Sequence, residues 1–174
     1  MDVALIGKSA LRIKGKNASF VVNPDSSVGK TEADAIVLLG SNSLQKFPKV
    51  EGSRITIKGP GEYEVSGIKI STTQVGQNLV ARVDVDAVKL LVGSGESIER
   101  IHDKIEECDV AIINSDMDFN QAVLTSLEPK ALVIYGDKKE SVAKMLGKDG
   151  AQKASKYATT LEKLPQEMEV VLLG

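Results

Sequence analysis

The sequence predicts a layered α/β fold in which two β-sheets pack face to face and helices cover them. Two observations predict it. Short runs of alternating or continuous apolar residues fill the first half of the 174-residue chain, a pattern typical of strands. From residue 97 onward, helical spacing of apolar residues alternates with short apolar runs, which indicates alternating helices and strands. The chain length predicts one domain, residues 1–174.

The first half of the chain contains the predicted hairpins. Residues 35–39 are apolar at every position, which predicts a strand buried on both faces. Alternation farther along predicts Tyr63 and Val65 on the face opposite Glu62 and Glu64. The predicted strands cover residues 3–6, 10–14, 18–22, 35–39, 79–83 and 87–92, with paired strands across 54–70, turns at 15–17 and 84–86, and a loop at 23–27.

Helical periodicity replaces this pattern in the second half. Ile98, Ile101, Ile105 and Cys108 fall on one face of a predicted helix, with Ser97 as its N-cap. The remaining predicted elements are a strand at 110–113, a helix with the apolar face Phe119, Val123 and Leu127, a strand at 131–135, a helix at 141–146 ended by Gly147, and strands at 157–161 and 169–173.

Composition excludes several classes of function. The net charge is −2 and no basic stripe is present, which argues against a nucleic-acid partner. No apolar run approaches the roughly 20 residues of a membrane span. The apolar run at residues 3–6 is too short for a signal peptide. Cys108 is the single cysteine, which excludes an intramolecular disulfide and fits a reducing compartment. We therefore expect a cytoplasmic protein.

Four segments carry a resemblance to a known family. The most specific is Gly-Pro-Gly-Glu-Tyr-Glu-Val-Ser-Gly-Ile at residues 59–68, supported by residues 6–13, Asn-Pro at 23–24, and residues 164–172. They resemble the metallo-β-lactamase superfamily, in particular its small, uncharacterised Zn-dependent hydrolases related to ascorbate-phosphate lactonases. This resemblance runs along the whole chain and implies a compact, trimmed four-layer αββα sandwich.

The same resemblance shows that the metal ligands of the family are replaced. Its His-x-His-x-Asp-His motif follows a buried strand and holds zinc, which activates a water molecule. Hydroxyl, amide and ammonium groups cannot take the place of imidazoles around zinc. The corresponding positions of this chain hold Lys8, Ser41, Ser43, Gln45, Lys46, Ser94 and Gly136. The resemblance therefore implies a degenerate member of the family.

Composition supports that interpretation without any alignment. The chain has one histidine, His102, and one cysteine, Cys108, whereas a zinc site takes about four good ligands. We interpret His102 as a half-buried structural residue and Cys108 as an inert buried thiol. We therefore expect no metal, no cofactor and no catalytic residues, and a binding, scaffold or regulatory role with an unknown protein or small-molecule partner.

An alternative keeps an enzymatic function. Asp116 and Asp118 follow a predicted strand on the side where the family keeps its site, and with Glu62 they are candidates for weak cation or ligand contacts. They would then serve a phosphoester, ester or lactone hydrolase with a re-invented or weak metal site. Asp118 is equally suited to cap the helix that begins at Phe119.

Charge compensation is a further hypothesis for the vacated site. Lys8 and Lys46 stand where the family has histidines, and their ammonium groups can replace part of the lost positive charge. Two interpretations are open: the two lysines pair with Asp25, Glu62 or Asp116, or both are solvated, as most lysines are. The ligand, the oligomeric state and the openness of the pocket are not specified by the sequence.

Overall fold

The computed structural model describes residues 1–40 and 50–174. Within these ranges the strands are β1 Asp2–Leu5, β2 Leu11–Lys14, β3 Ser19–Val22, β4 Thr31–Glu32, β5 Ala35–Val37, β6 Val50–Glu51, β7 Ile55–Ile57, β8 Gly61–Val65, β9 Ile68–Val75, β10 Asn78–Val85, β11 Val88–Ser94, β12 Val110–Asn114, β13 Ala131–Tyr135, β14 Gln152–Ala154, β15 Lys156–Ala158 and β16 Glu169–Leu173. The helices are α1 Gly95–Ile101, α2 Ala122–Ser126 and α3 Lys139–Met145, with 3₁₀ turns at His102–Lys104 and Leu161–Lys163. None of these helices is long and apolar enough to cross a membrane.

Two sheets form the framework. The first sheet has the strand order β15-β1-β2-β3-β5-β7, and the second has the order β14-β16-β13-β12-β11-β10-β9-β8. In the second sheet, β8 to β11 pair as antiparallel hairpins, whereas β11, β12 and β13 run parallel. The register aligns Ser94 with Asn114 and Asn114 with Tyr135. The carboxyl ends of these three strands therefore meet at one edge of the sheet.

The main hydrophobic core lies between the two sheets. Val3, Ile13 and Phe20 of the first sheet belong to the same buried cluster as Val83 and Ile112 of the second. Each strand presents alternate residues to this cluster because successive side chains point to opposite faces. Burial of an isoleucine or phenylalanine side chain stabilises the fold by about 1.5–3 kcal/mol, so this layer holds the sheets together.

The three helices cover the outer face of the second sheet. Ile98 of α1, Leu124 of α2 and Val142 of α3 pack in one buried cluster with Ala111 and Ile134 of the sheet. On the outer face of the first sheet, Val21 and Ile36 are covered by Val50 of the short β4–β6 pair. The structure confirms the predicted architecture of packed sheets with helices outside, in a trimmed form.

Most predicted strands are confirmed. In the β8–β9 hairpin, Val65 is buried and Tyr63 packs on the inter-sheet core, whereas Glu62 and Glu64 are exposed. The β10–β11 hairpin also forms, but its turn lies at Asp86 and Ala87, with φ values of 52° and 66°. The turn predicted at residues 84–86 was therefore displaced toward the amino terminus.

The predicted boundaries of the first helix are wrong. Its N-cap is Ser94, whose hydroxyl accepts a hydrogen bond from the Ser97 backbone N–H. The α-helix ends at Ile101, and Ile105 has extended backbone angles. Ile105 and Cys108 nevertheless contact the same hydrophobic cluster as Ile98, so the apolar spacing reflected a shared surface and not a continuous helix.

The helix assigned to an Asp118 cap also begins later than predicted. α2 starts at Ala122, whose N–H donates to the side chain of Asn120. Asp118 instead pairs with Lys138 at 2.7 Å and is 87% exposed. Gly147, with a φ of 71°, ends α3 as predicted.

We predict that Gly95→Ala destabilises the protein by about 1–3 kcal/mol, the usual cost of overpacking. A Cβ at Gly95 would overlap the ring of the buried Phe119, so the ring would have to shift. Chemical denaturation measures the difference. Gly29→Ala is the matched control, because a Cβ there meets nothing within 4 Å. Equal stability of both variants would contradict the packing of α1 described above.

Candidate functional site

A cleft of about 400 Å³ opens at the carboxyl ends of β11, β12 and β13. The loop that follows β3 in the first sheet forms its opposite wall. The cleft therefore lies between the ends of the two sheets. Its lining consists of Ser9, Asn23, Pro24, Asp25, Ser26, Leu38, Leu39, Gly40, Asn78, Leu79, Gly93, Ser94, Asn114, Asp116, Met117 and Tyr135.

Asn23 and Asp25 hold the loop on the first-sheet side. The Asn23 side-chain oxygen accepts a hydrogen bond from the Leu39 N–H at 2.7 Å, and the Asn23 backbone N–H donates to the Val37 carbonyl at 2.9 Å. The Asp25 carboxylate accepts from the backbone N–H groups of Ser9 and Ser27 at 3.1 and 2.7 Å and from the Ser27 hydroxyl. Both side chains thus stabilise the backbone of the loop.

The hydrogen bonds to Asp25 leave its pKa below the ordinary value of 3.8. Burial acts to raise this pKa, but donation from the Ser27 hydroxyl and from backbone N–H groups of Ser9, Ser27 and Lys8 outweighs it. These donors stabilise the ionised carboxylate. Asp25 therefore contributes to folding as an anion.

Ser94 lies at the end of β11, at one of the positions where the resemblance implies a replaced metal ligand. Its hydroxyl accepts from the Ser97 N–H at 3.2 Å and donates to the Ser97 hydroxyl at 2.8 Å. These contacts cap α1, a role that serine performs well because its oxygen satisfies an unpaired backbone donor. The Ser94 hydroxyl therefore serves as the N-cap of α1.

Asp116 connects the loops that follow β12 and β13. One carboxylate oxygen accepts from the Asp137 N–H at 2.9 Å, and the other accepts from the Asn114 side-chain amide at 2.9 Å. Gly136 has a φ of 104°, and a Cβ there would lie 2.5 Å from the Asp116 carboxylate. Glycine at position 136 therefore permits the close approach of Asp116 to the second loop.

Tyr135 forms the buried base of the cleft. Its side chain is 1% exposed and belongs to the inter-sheet core. Burial raises the pKa of its phenol, and the negative charge of Asp116 adds to this effect, while a hydrogen bond with Asn114 opposes it. The phenol stays protonated at neutral pH and is linked through Asn114 to Asp116.

The side chains of the cleft do not fit a zinc ion. Its carboxylates and the Ser94 hydroxyl are hard oxygen donors already engaged with the backbone, whereas zinc sites rely on imidazoles and thiolates. Within residues 1–40 and 50–174, no three His, Cys, Asp or Glu side chains cluster around a common point. The sequence of residues 41–49 contains none of these four residue types.

His102 and Cys108 lie away from the cleft. Cys108 precedes β12 at its amino end, six residues before Asn114, which is about 20 Å along an extended chain at a rise near 3.3 Å per residue. It is buried, and desolvation raises the pKa of its thiol to about 11. The His102 ring contacts the Glu99 carbonyl through Nδ1 at 2.7 Å. Neither residue contributes to the cleft.

The other sequence-predicted site residues are dispersed. Lys8 is exposed and forms no ion pair with a carboxylate of the described chain, which excludes the pairing for Lys8 and agrees with the solvated alternative. Glu62 lines a separate groove with Arg82. Of the three acidic candidates, only Asp116 lines the cleft. Ser41, Ser43, Gln45 and Lys46 lie outside the described residues.

Met117 and Asn114, which line the cleft, were assigned no role in the sequence analysis. Met117 is 63% exposed at the cleft, although methionine side chains are usually buried. Asn114 links Tyr135 and Asp116. Its position at the end of a predicted buried strand was the available signal, because side chains there converge on one edge of a parallel sheet.

We predict that Asp116→Ala lowers the free energy of unfolding by about 1–2 kcal/mol, because two hydrogen bonds to the carboxylate are lost. Urea denaturation measures the change. Asp118→Ala is the matched control, since its exposed ion pair contributes about 0–1 kcal/mol. A larger loss in the control would show that the Asp116 network does not hold the two loops.

We predict that Asp25→Asn weakens the dependence of stability on pH in acid. Because the folded-state pKa of Asp25 is lowered, ionised Asp25 stabilises the fold above the unfolded pKa, near 3.8. That stabilisation is lost as the pH falls through the folded-state pKa. The free energy of unfolding, measured by denaturation between about pH 5 and pH 2, should therefore fall less steeply with decreasing pH in Asp25→Asn than in wild type. Asp149→Asn, which removes an exposed carboxylate, is the control and should resemble wild type. Parallel curves would contradict the assignment.

Solved structures with the same architecture identify the fold. A proposed Zn-dependent hydrolase of the metallo-β-lactamase superfamily from Thermotoga maritima superimposes with a TM-score of 0.80 over 99% of this chain and 98% of its own, at 18% identity. A proposed metal-dependent hydrolase from Parabacteroides distasonis gives 0.58 over 84% and 90%, also at 18% identity. No protein-family model and no curated protein sequence matches the chain. The structural likeness over nearly the whole length shows that this chain has the metallo-β-lactamase fold.

Proposed function

We propose that the chain is a non-catalytic protein of the metallo-β-lactamase fold that binds a small molecule in the cleft at the ends of β11, β12 and β13. The observation that carries this proposal is the use of the polar side chains around the cleft. Asp25, Ser94 and Asp116 hold backbone groups of the surrounding loops and of α1. In a metal-dependent hydrolase, side chains at this edge would ligate the metal.

The dimensions and lining of the cleft support ligand binding. Its volume of about 400 Å³ lies within the range typical of small-molecule sites. Leu38, Leu79 and the exposed Met117 supply apolar surface. Asn23 and Asn114 supply amide groups that exchange hydrogen bonds with a polar ligand. Small-molecule sites combine these two features, because apolar surface drives binding and a few polar groups fix orientation.

A hydrolase with a re-invented site is the second candidate function. The exposed Asp116 carboxylate at the cleft favours it, since a carboxylate can act as a general base or hold a hard cation. Asp118 and Glu62 do not support Asp116 there, because Asp118 pairs with Lys138 and Glu62 lines another groove. A single carboxylate that already accepts two hydrogen bonds is a weak basis for metal-assisted hydrolysis.

Metal analysis and an activity screen separate the two functions. Protein purified without chelator is assayed for bound metal and for hydrolysis of phosphoester, ester and lactone substrates, with Asp116→Asn as the matched variant. We expect substoichiometric metal and no turnover above the Asp116→Asn background. Stoichiometric metal with turnover that Asp116→Asn abolishes would establish the hydrolase instead.

We predict that chelators leave the melting temperature of the protein unchanged. Structural metal contributes binding free energy to folding, so its removal lowers the melting temperature of a metal-dependent fold. Differential scanning fluorimetry with and without EDTA measures this, with added zinc as the reciprocal condition. A fall of several degrees in EDTA that zinc reverses would show a metal-stabilised fold.

A further inference from the structure

A groove of about 490 Å³ lies on the outer face of the first sheet, away from the cleft. It is lined by Arg12 and Lys14 of β2, Ser19 of β3, and Lys30, Thr31 and Glu32 at β4. Leu11 and Ile13 point into the inter-sheet core, so Arg12 and Lys14 point to the opposite face. Lys14 is the cross-strand partner of Ser19. The groove therefore brings three cationic side chains and two hydroxyls together, against one carboxylate.

Two cations of this groove lack partners among the residues that the structure describes. Within residues 1–40 and 50–174, the Arg12 Nε is buried without a hydrogen-bond partner. Arg12 and Lys14 take part in no ion pair of these residues, whereas Lys30 contacts Glu51 at 3.3 Å. Buried polar atoms are usually hydrogen-bonded to protein atoms, to water or to a bound ion. A ligand rich in acceptor oxygens fits the unpaired donors of Arg12 and Lys14.

We infer that the groove binds the phosphoryl group of a small molecule. A carboxylate offers two oxygens and one charge, whereas a phosphate monoester offers three terminal oxygens and a charge of about −1.5 to −2 at neutral pH. Arginine binds such oxygens through its planar fork, and lysine adds a point charge. Arg12 supplies the fork, Lys14 and Lys30 supply charge, and Ser19 and Thr31 supply neutral donors. The groove is larger than one phosphate, so the rest of a small molecule fits beside it.

Asp2 is the competing partner for Arg12. It lies on the neighbouring strand β1, opposite Lys14, and its Oδ1 is also buried without a hydrogen-bond partner among the described residues. Its other carboxylate oxygen lies 4.0 Å from the Lys156 ammonium. Asp2 does not line the groove, and the Asp2→Asn variant measures whether it withdraws Arg12 from ligand binding.

Amide NMR spectra with increasing inorganic phosphate, at constant ionic strength, test the site. We expect saturable shifts confined to the amides around Arg12, Lys14, Ser19 and Thr31, while sulfate and chloride produce weaker or unsaturable shifts. Glycerol phosphate and vesicles containing phosphatidate, used in parallel, distinguish a soluble phosphate ester from a lipid headgroup.

Variants assign the effect to the groove. Arg12→Gln and Lys14→Gln should each weaken phosphate binding by about tenfold, the loss expected for one charge-assisted hydrogen bond. Arg54→Gln, an exposed arginine outside the groove, should leave it unchanged. Lys14 is exposed, so Lys14→Gln keeps the test valid if Arg12→Gln fails to fold.

Three results would overturn the inference. The first is the absence of saturable shifts in the wild type. The second is equal affinity in wild type and Lys14→Gln, which would indicate an adventitious ion only. The third is binding that appears only in Asp2→Asn, which would show that Asp2 neutralises Arg12 in the natural protein.

Discussion

The burial of β11, β12 and β13 on both faces is the constraint on which the rest of the molecule depends. In β12, Val110 and Ile112 pack between the sheets, whereas Ala111 and Ile113 pack under the helices. Parallel strands joined by helices on the outside are buried on both faces, as these three strands are. The parallel register then brings Ser94, Asn114 and Tyr135 to one edge. The position of the cleft follows from this packing.

The ends of these strands carry backbone groups that need hydrogen-bond partners. Ser94 supplies one for α1, and Asp116 supplies one for the loop after β13. Capping by hydroxyl and carboxylate oxygens therefore organises this edge of the sheet. Release of either side chain to bind a ligand would leave a backbone donor unsatisfied, which costs about 1–3 kcal/mol where it is buried.

The sequence predicts elements well where a pattern has one structural explanation. The apolar run of β5 and the alternation of β8 determine which side chains are buried. The turn at Asp86 and Ala87 was displaced because alanine rarely adopts a positive φ, so no residue there marks the turn. No strand was predicted at β14. Its residues Gln152 and Lys153 are exposed and polar, and it lies at a sheet edge, where burial imposes no apolar pattern on the sequence.

The site was predictable in part. The resemblance singled out Ser94 and Gly136 as former ligand positions, but the capping role of Ser94 depends on a helix start that the sequence analysis placed later. Glu62 was grouped with Asp116 as an acidic candidate. The two residues occupy different parts of the fold, and linear sequence does not contain that separation. Asn114 and Met117 carry no motif, and the position of Asn114 after a buried strand was the one signal of its place at the cleft.

Anomalous diffraction at the zinc absorption edge tests whether the side chains of the cleft bind zinc. Crystals grown without chelator and soaked in a zinc salt would show whether the side chains of the cleft remain engaged with the backbone in the presence of metal. We predict no anomalous peak among Asp25, Ser94 and Asp116, nor among Ser41, Ser43, Gln45 and Lys46. A zinc peak there, with ligand distances of about 2.0 to 2.3 Å, would contradict it.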